Sequence, residues 1–321
     1  MILVTGGLGF IGSHTTRALL GLGESCVLVQ RREPALPGDL ADEGGKRVFT
    51  ERADITDLGA LLAIGARHNV TGIIHLAGSV PWPPGAAEPV DGARTAIGSL
   101  LNVLQAACQW RVPRVGVAST IGVYGGVEPG GPPREDVPLP MVAGHVIPAF
   151  KKIGELLADY LADTTGIEII NYRISTWGPG GNPMSPFTAA PQLVHAAAHG
   201  TAPDFSALGS PACAEDGLDM CYVKDCGKAI ALLQLTPGLS HHTYNVASGK
   251  VLTNREVAAA VRTLVPDARI ELLNGRSPAG SGQGICLDIS RLRDDTGYQP
   301  GYDTEQAVAD YIAWLRAGHQ R

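Results

Sequence analysis

The sequence lacks three features that would place it in other classes of protein: an excess of basic residues, a long apolar run and a C-x-x-C pair. Its 321 residues include 25 Lys and Arg against 31 Asp and Glu, which gives a formal net charge of −6. This balance argues against nucleic acid or an anionic membrane as the main partner. No apolar run reaches transmembrane length. The six cysteines are scattered, so we expect reduced thiols and no metal site.

The composition is that of a folded, globular protein. Hydrophobic residues make up 45% of the chain and charged residues 17%. The length is enough for a large core and for one or two domains. Because the first residues already have the character of a core strand, we expect no signal peptide and a cytoplasmic location.

Segments typical of strands alternate with segments typical of helices through the first half of the chain. Such alternation indicates βαβ units, and therefore an α/β fold with a doubly wound parallel sheet. The predicted strands are Cys26–Gln30, Lys46–Thr50, Gly72–Leu76, Arg114–Ser119 and Ile167–Tyr172, and the predicted helices are Leu58–Arg67, Thr95–Gln109 and Ile153–Thr164.

A glycine-rich turn follows the first strand. The apolar run Met1–Val4 precedes it, and Ser13–Leu20 after it is typical of a helix. Gly7, Gly9 and Gly12 fit the pattern G-x-G-x-x-G in the order strand, turn, helix. The glycines allow the backbone to approach a pyrophosphate closely, and the helix N-terminus supplies free N–H groups. The pattern therefore predicts nucleotide binding.

The composition of the chain changes after Trp177. Residues 178–183 read as a loop, and the following stretch to about Asp219 is rich in Pro, Gly and Ala. We predict a first domain over residues 1–176, to which later segments return, and a smaller substrate-binding portion over 177–321. The predicted helices of this portion are Gln192–His199, Lys224–Leu235, Asn254–Leu264 and Thr304–Arg316.

An ordered series of short motifs runs nearly from end to end and resembles the extended short-chain dehydrogenase/reductases, in particular the nucleotide-sugar epimerase/dehydratase group. The resemblance implies a Rossmann-type domain, a nicotinamide cofactor, a small-molecule substrate and a homodimer. The matching segments are Thr5–Gly12, Ala53–Asp57, Ile74–Gly78, Ala118–Gly125, Lys151–Glu155, Arg173, Trp177–Gly180, Tyr222–Asp225, Tyr244–Gly249 and Asp288–Leu292.

The end of the second strand bears on the choice between NAD and NADP. A carboxylate there binds the ribose hydroxyls of NAD, whereas arginine favours the 2′-phosphate of NADP. Here the strand ends in Val29-Gln30-Arg31-Arg32, so we predict NADP, with NAD as the alternative cofactor. The alternative without a binding role is that the two arginines form a solvated basic turn. The predicted cofactor-binding residues are Gly6, Gly7, Gly9, Phe10, Ile11, Gly12, Arg31, Arg32, Asp54, Ile55, Leu76, Ala77, Gly78 and Lys151.

The resemblance also implies a catalytic Ser/Thr, Tyr and Lys, in which a lysine lowers the pKa of a proton-exchanging tyrosine. Thr120 matches the first position and Lys151, four residues before Glu155, matches the lysine. The tyrosine position, one helical turn before the lysine, is Ile147. If Lys152 were the lysine, that position would be Pro148, which is no phenol either.

Three explanations for the missing phenol remain open. His145 lies two residues earlier and has a suitable ordinary pKa, although a loop histidine is the plainer reading. Water held by Thr120 and Lys151 is a second possibility. The third is that the protein does not run the usual redox chemistry. Tyr124 matches a position used for packing rather than for catalysis.

Substrate contacts are predicted at Ser79, Trp82, Thr120 and Thr176. Trp82 follows the fourth strand, at the sheet edge where ligands bind, and packing on the core is its alternative role. The family often has an arginine for the nucleotide diphosphate where this chain has Leu218, and Arg276 matches a second such arginine in poorly fitting surroundings.

Three functions are consistent with these features. The first is an NADP-dependent epimerase, dehydratase or reductase acting on a sugar-like or other small hydroxylated substrate. The second is a non-redox cyclase, lyase or isomerase on the same fold. The third is a cofactor-binding protein without turnover. The fold alone does not choose among them, because function depends on the site.

Overall fold

A parallel sheet of seven strands forms the centre of the molecule, in a computed structural model that describes residues 1–32, 35–78, 88–128, 130–208, 210–278 and 284–319. The strand order is β10-β6-β5-β4-β1-β2-β3. The strands are Ile2–Thr5 (β1), Cys26–Gln30 (β2), Val48–Arg52 (β3), Gly72–His75 (β4), Arg114–Thr120 (β5), Glu168–Ile174 (β6), Thr176–Trp177 (β7), Gly217–Asp219 (β8), Cys221–Tyr222 (β9), Thr243–Val246 (β10) and Val251–Thr253 (β11).

Helices cover both faces of the sheet, which confirms the predicted α/β class. Helices α1, α7 and α9 pack on one face and α3, α4 and α5 on the other. The helices are Phe10–Gly21 (α1), Gly38–Ala41 (α2), Leu58–Arg67 (α3), Pro89–Trp110 (α4), Val146–Thr165 (α5), Ala190–His199 (α6), Val223–Leu235 (α7), Asn254–Leu264 (α8), Ser290–Thr296 (α9) and Thr304–Arg316 (α10).

The strand order reverses between β1 and β4. From β1 the chain moves outward through β2 to β3, and it then returns to place β4 on the other side of β1. In open α/β sheets, ligands bind beyond the carboxyl ends of the strands at such a reversal. The fold therefore places the end of β1 and the start of α1 at the binding edge.

Helices α4 and α5 begin earlier than the apolar periodicity predicts. Helix α4 starts at Pro89, whose missing N–H is not needed at the first helical position. Helix α5 starts at Val146 with Pro148 in its first turn, where no intrahelical donor is required. The predicted starts at Thr95 and Ile153 were wrong by about two turns, because proline near a helix start looks like a break.

The C-terminal portion has a core of its own. Trp177, Leu193, Val257, Val261 and Tyr311 are buried together and are carried by β7, α6, α8 and α10. In contrast, α7 and β10 belong to the part built around the central sheet, because α7 packs on α1 and β10 pairs with β6. Among the described residues, no helix has the length and apolar character needed to span a membrane.

Candidate functional site

The glycine turn between β1 and α1 is fixed by close backbone contacts. A Cβ added at Gly12 would lie 2.1 Å from the carbonyl oxygen of Gly6, and one added at Gly7 would lie 2.8 Å from Leu28. Gly6 has φ +70°, and a Cβ there would lie 3.1 Å from the backbone of Ala77. The backbone therefore excludes a side chain at Gly12, and the positive φ at Gly6 favours glycine there.

The start of α1 is open for an anion. Gly9 is the N-cap residue, no side chain caps the helix, and no acidic residue lies in its first turn. The first N–H groups of a helix have no intrahelical acceptor and lie at its positive end. Phe10, Ile11 and Gly12 present these groups at the reversal of the strand order, so the cradle fits the pyrophosphate of a dinucleotide.

The segment after β4 forms the neighbouring wall of this cradle. The hydroxyl of Thr5 lies 2.8 Å from Nδ1 of His75, and its oxygen accepts a hydrogen bond from the Ala77 N–H at 3.3 Å. Burial lowers the pKa of His75 to about 3, so the ring is neutral. These contacts bring the predicted residues Leu76 and Ala77 against the glycine turn, and Gly78 follows them in the chain.

The ends of β2 and β3 hold the remaining predicted cofactor residues. Arg31 and Arg32 are exposed after β2. Asp54, after β3, accepts hydrogen bonds from the N–H and hydroxyl of Thr56 at 2.9 and 2.8 Å. These bonds, with the charge of Arg31, hold the pKa of Asp54 below its usual range. Ile55 is buried beside it.

The end of β5 carries the predicted Thr120. Its hydroxyl accepts a hydrogen bond from the Gly122 N–H at 3.2 Å and starts a turn of 3₁₀ helix over Ile121–Tyr124. As expected, Tyr124 is a packing residue: it is buried, and its hydroxyl donates to Asn245 at 2.7 Å.

The structure separates the roles of the two neighbouring lysines in α5. The ammonium of Lys152 donates to the carbonyl oxygens of Pro140 and Val142, so it fastens the loop before the helix. Lys151 faces the sheet instead and lines a small cavity with His75 and Ser119. Burial lowers the pKa of Lys151 to about 8, with a partial offset from Glu155.

A buried ion pair anchors α5 to the sheet. Glu155 accepts from Nη2 of Arg173 at 2.7 Å and also from the hydroxyl of Ser119. Both charged side chains are less than a tenth exposed. The sequence contained both residues within matched motifs but gave no reason to pair them, because they lie on different elements. The pair fixes Lys151, one turn earlier in the helix, at the ends of β4 and β5.

The first turn of α5 contains the residue that departs from the family pattern. Ile147 is half-buried there, one turn before Lys151. His145 is the N-cap residue of the helix, and its ring stacks on Phe187 with 5.6 Å between the ring centres. Burial lowers the pKa of His145, which favours the neutral imidazole at pH 7.

Of the predicted substrate contacts, Thr120 and Thr176 lie in described segments, whereas Ser79 and Trp82 lie outside the described residues. The hydroxyl of Thr176 donates to the carbonyl oxygen of Cys221 at 2.9 Å. Leu218 is half-buried in β8, which pairs with β11. Arg276 is exposed and lies near Gly284. The Gly284 N–H donates to the carbonyl oxygen of Gly217, the residue before Leu218.

The fold and the glycine cradle define a Rossmann-type dinucleotide-binding protein. The sequence profile described as "NAD dependent epimerase/dehydratase family" matches residues 2–247, and the chain belongs to that family. A nicotinamide dinucleotide is accordingly the class of cofactor that this site accommodates.

Curated relatives and solved structures agree with this assignment. The chain is 25% identical to a UDP-glucose 4-epimerase of Lacticaseibacillus casei, over 98% of this chain and 95% of the relative. It is 27% identical to a dTDP-glucose 4,6-dehydratase of an Actinoplanes species, over 98% of both. The fold matches the UDP-glucose 4-epimerase of Thermotoga maritima, solved with UDP-glucose, with a TM-score of 0.81, 20% identity and 99% coverage of both chains. It also matches that of Thermus thermophilus, solved with NAD, with a TM-score of 0.76, 23% identity and 98% coverage of both chains.

Proposed function

We propose that this protein is an NADP-dependent enzyme of the epimerase, dehydratase or reductase type that acts on a small hydroxylated, sugar-like substrate with altered acid–base chemistry. The observation that carries the proposal is the convergence of the glycine cradle, Thr120 and a desolvated Lys151 at one sheet edge. The curated relatives are named as enzymes that act on UDP-glucose and dTDP-glucose, which supports a sugar-like substrate.

The cofactor would lie with its pyrophosphate on the start of α1 and its adenosine end near Arg31 and Arg32. When bound, the nicotinamide supplies a hydride acceptor or donor. The basic side chains after β2 support NADP over NAD, because a guanidinium can bind a phosphate through two parallel hydrogen bonds. NAD remains the alternative, and titration of the protein with NADPH and NADH distinguishes the two.

We propose His145 as the proton acceptor in place of the missing phenol. Its neutral imidazole accepts the proton of the substrate hydroxyl, while the Thr120 hydroxyl orients that oxygen and the Lys151 ammonium stabilises the negative charge that develops on it. The position of His145 at the N-terminus of α5, two residues before Ile147, supports this role. The alternative acceptor is a water molecule held by Thr120 and Lys151.

Incubation with NADP⁺ and UDP-glucose, dTDP-glucose or free hexoses tests the activity. Net formation of NADPH reports a reductase, whereas chromatography of the sugar products reports an epimerase or dehydratase, which returns the hydride to the sugar. Replacement of His145 tests the proton acceptor. We expect H145A and H145Q to lower the rate by about 10²–10⁴-fold, which is typical for loss of a general base. The wild-type rate should fall as pH drops and the imidazole becomes protonated. H199A, at an exposed histidine of α6, is the matched control. Full activity of H145A would contradict the role of His145 and favour the water.

A homodimer is the proposed assembly. Helices α4 and α5 lie side by side and expose Leu101, Leu156 and Tyr160, with Leu156 60% exposed. Adjoining apolar side chains on a helix pair are typical of an interaction surface. L156D should shift the protein towards monomer in analytical ultracentrifugation, whereas L273D, at a leucine that is 57% exposed elsewhere, should not.

Free thiols at all six cysteines are consistent with the proposed cytoplasmic location.

A second candidate function is a non-redox cyclase, lyase or isomerase, or an NADP-binding protein without turnover. Ile147 is the observation that favours it, because no phenol stands one turn before Lys151. Tight binding of NADPH with neither net reduction of NADP⁺ nor an epimerised or dehydrated product from any substrate in the panel would support this second function over the first.

A further inference from the structure

The loop of residues 178–189 spans the space between the cofactor cradle and the proposed proton acceptor. At its start it lies against the cradle, because a Cβ added at Gly181 would lie 3.1 Å from the ring of Phe10. Near its end it reaches α5, where the ring of Phe187 stacks on that of His145 with 5.6 Å between the ring centres. This loop is therefore one wall of the mouth of the proposed site.

The loop of residues 139–145, which leads into α5, is a second wall. Lys152 donates to the carbonyl oxygen of Val142 at 2.7 Å and so holds this loop against the helix. A Cβ added at Gly126 would lie 3.7 Å from the side chain of Val142. The loop therefore lies between the first turn of α5 and the segment that follows Thr120.

Both loops expose large apolar side chains. Met141 is 89% exposed and Phe187 54%, and Val142 and Met184 on the same loops are exposed too. The Met184 N–H donates to the side-chain oxygen of Asn182 at 3.1 Å, which fixes the turn that carries this methionine. Apolar side chains that stay exposed around a binding site are typical of a surface that contacts an apolar ligand. We refer to Met141, Val142, Met184 and Phe187 as the apolar rim.

The stretches that carry the apolar rim have no charged side chain. The sequence contains no Asp, Glu, Lys or Arg over residues 137–150 or over residues 174–203. Burial lowers the pKa of His145, so its ring is neutral at pH 7 and supplies no cation either. The two loops therefore lack the guanidinium or ammonium that pairs with a diphosphate.

The side chains of the rim suit a different kind of group. An exposed phenyl ring such as that of Phe187 stacks on other aromatic rings. Methionine side chains are flexible and polarisable, and their sulfur atoms make favourable contacts with ring edges. The rim therefore fits an uncharged aromatic group better than it fits a nucleoside diphosphate.

We infer that the apolar rim binds an uncharged aromatic substituent, so that the substrate is a hydroxylated, sugar-like ring that carries an aryl group instead of a nucleoside diphosphate. The inference rests on the proposed function and names its substrate class. The hydroxylated ring lies beside Thr120 and His145, and the aryl group lies further towards solvent, against Phe187.

Isothermal titration calorimetry of the full chain with glucose, 4-nitrophenyl α-glucoside and UDP-glucose tests this inference. The three ligands share the sugar and differ in its substituent, and NADPH is present so that no turnover is measured. We expect the aryl glucoside to bind about tenfold more tightly than glucose and than UDP-glucose, since only the aryl group stacks on the rim. Tighter binding of UDP-glucose than of the aryl glucoside would overturn the inference, as would an aryl group that strengthens binding less than about threefold.

Variants of Phe187 show whether the rim is responsible. F187A should lower the ratio of aryl glucoside affinity to glucose affinity by about tenfold, whereas F187Y keeps the ring and should keep the ratio. L273A, at an exposed leucine outside the rim, is the matched control and should not change it. Thermal unfolding shows whether each variant is folded. Equal weakening of glucose and aryl glucoside by F187A would mean that Phe187 only packs on His145, which would contradict the inference.

The titrations are repeated without NADPH, so that the proposed function and the inference fail in different ways. Absence of NADPH binding would contradict the proposed cofactor and would leave the comparison of the three sugar ligands readable. NADPH binding together with a preference for UDP-glucose would leave the proposed function standing and reject the aryl substrate.

Discussion

The glycine turn before α1 and the first turn of α5 lie at the same sheet edge but depart from the family pattern to different degrees. The first keeps each glycine that the pattern requires, and a Cβ at Gly12 would collide with Gly6. The second keeps Lys151 but has Ile147 where a phenol is expected. The residues proposed for cofactor binding therefore keep the family pattern, whereas those proposed for proton transfer depart from it.

The difference follows from how each region works. The glycine turn acts through its backbone, and a side chain at Gly12 would overlap the backbone of Gly6. The first turn of α5 acts through side chains that project from a regular helix, and such a helix accepts Ile147 as readily as a tyrosine. The side chains available for proton transfer can therefore change without a change of the fold. Substitutions in the glycine turn and in α5 test this difference.

The largest expected effect is on the anchor of α5. R173M leaves the Glu155 carboxylate buried without its partner, so the free energy of unfolding should fall by about 3–5 kcal/mol. Urea unfolding measures the loss. D91N, which breaks the exposed ion pair of Asp91 with Arg94 on α4, should change stability by less than about 1 kcal/mol. Equal effects of the two variants would show that the buried pair does not anchor the helix.

The next effect is on the glycine turn. G12A places a methyl group against the backbone of Gly6, so we expect a loss of about 2–3 kcal/mol in unfolding free energy and no measurable binding of NADPH. Thermal unfolding and fluorescence titration check both outcomes. G21A lies in the same helix with open space around it and should be neutral or slightly stabilising. Normal cofactor binding by G12A would mean that the turn is not the cradle.

Lys151 should show opposite effects on activity and stability. Its pKa falls from 10.5 to about 8 in the folded state, so at pH 7 the fold carries the cost of a buried ammonium. K151M should therefore raise the unfolding free energy at pH 7 by about 1–3 kcal/mol while it lowers the reaction rate. Between about pH 8 and 10.5 the folded protein binds fewer protons than the unfolded chain, so wild-type stability rises with pH and the gain of K151M shrinks.

K152M is the matched control, because Lys152 fastens the loop before α5 and does not face the cavity. It should lower stability slightly and show a smaller pH dependence, because burial lowers the pKa of Lys152 less than that of Lys151. If K151M is less stable than wild type at pH 7, the ammonium is not buried at a cost and the assignment of the two lysines is wrong.

The smallest effect is expected from restoring the phenol. I147Y places a hydroxyl one turn before Lys151, and the rate of NADP⁺ reduction or sugar conversion with the substrate panel should rise about tenfold, which is below the ~10²–10⁴-fold that a general acid–base group typically contributes. I147F controls for the added ring. Equal rates for the two variants would show that the altered half of the site does not use a phenol in this place, which would favour the non-redox function.

Sequence reasoning was most successful where the determinants are local. The strands β1, β2, β4 and β5 and the glycine turn followed from apolar runs and from the spacing of Gly7, Gly9 and Gly12, and the structure confirms them. Helix starts were less predictable, since Pro148 looks like a helix break but is tolerated in the first turn of α5. Spacing from Glu155 favoured Lys151 over Lys152, but only packing shows that Lys151 lines the cavity and Lys152 holds the preceding loop.

The sequence by itself determined the family, the parallel sheet and the glycine turn, since these depend on neighbouring residues and on the steric limits of glycine. Only the tertiary structure decided which side chains meet. Glu155 of α5 pairs with Arg173 of β6, and the Thr5 hydroxyl meets the ring of His75, because folding brings together groups that lie far apart along the chain. Such meetings depend on distance in space, which local sequence patterns do not encode.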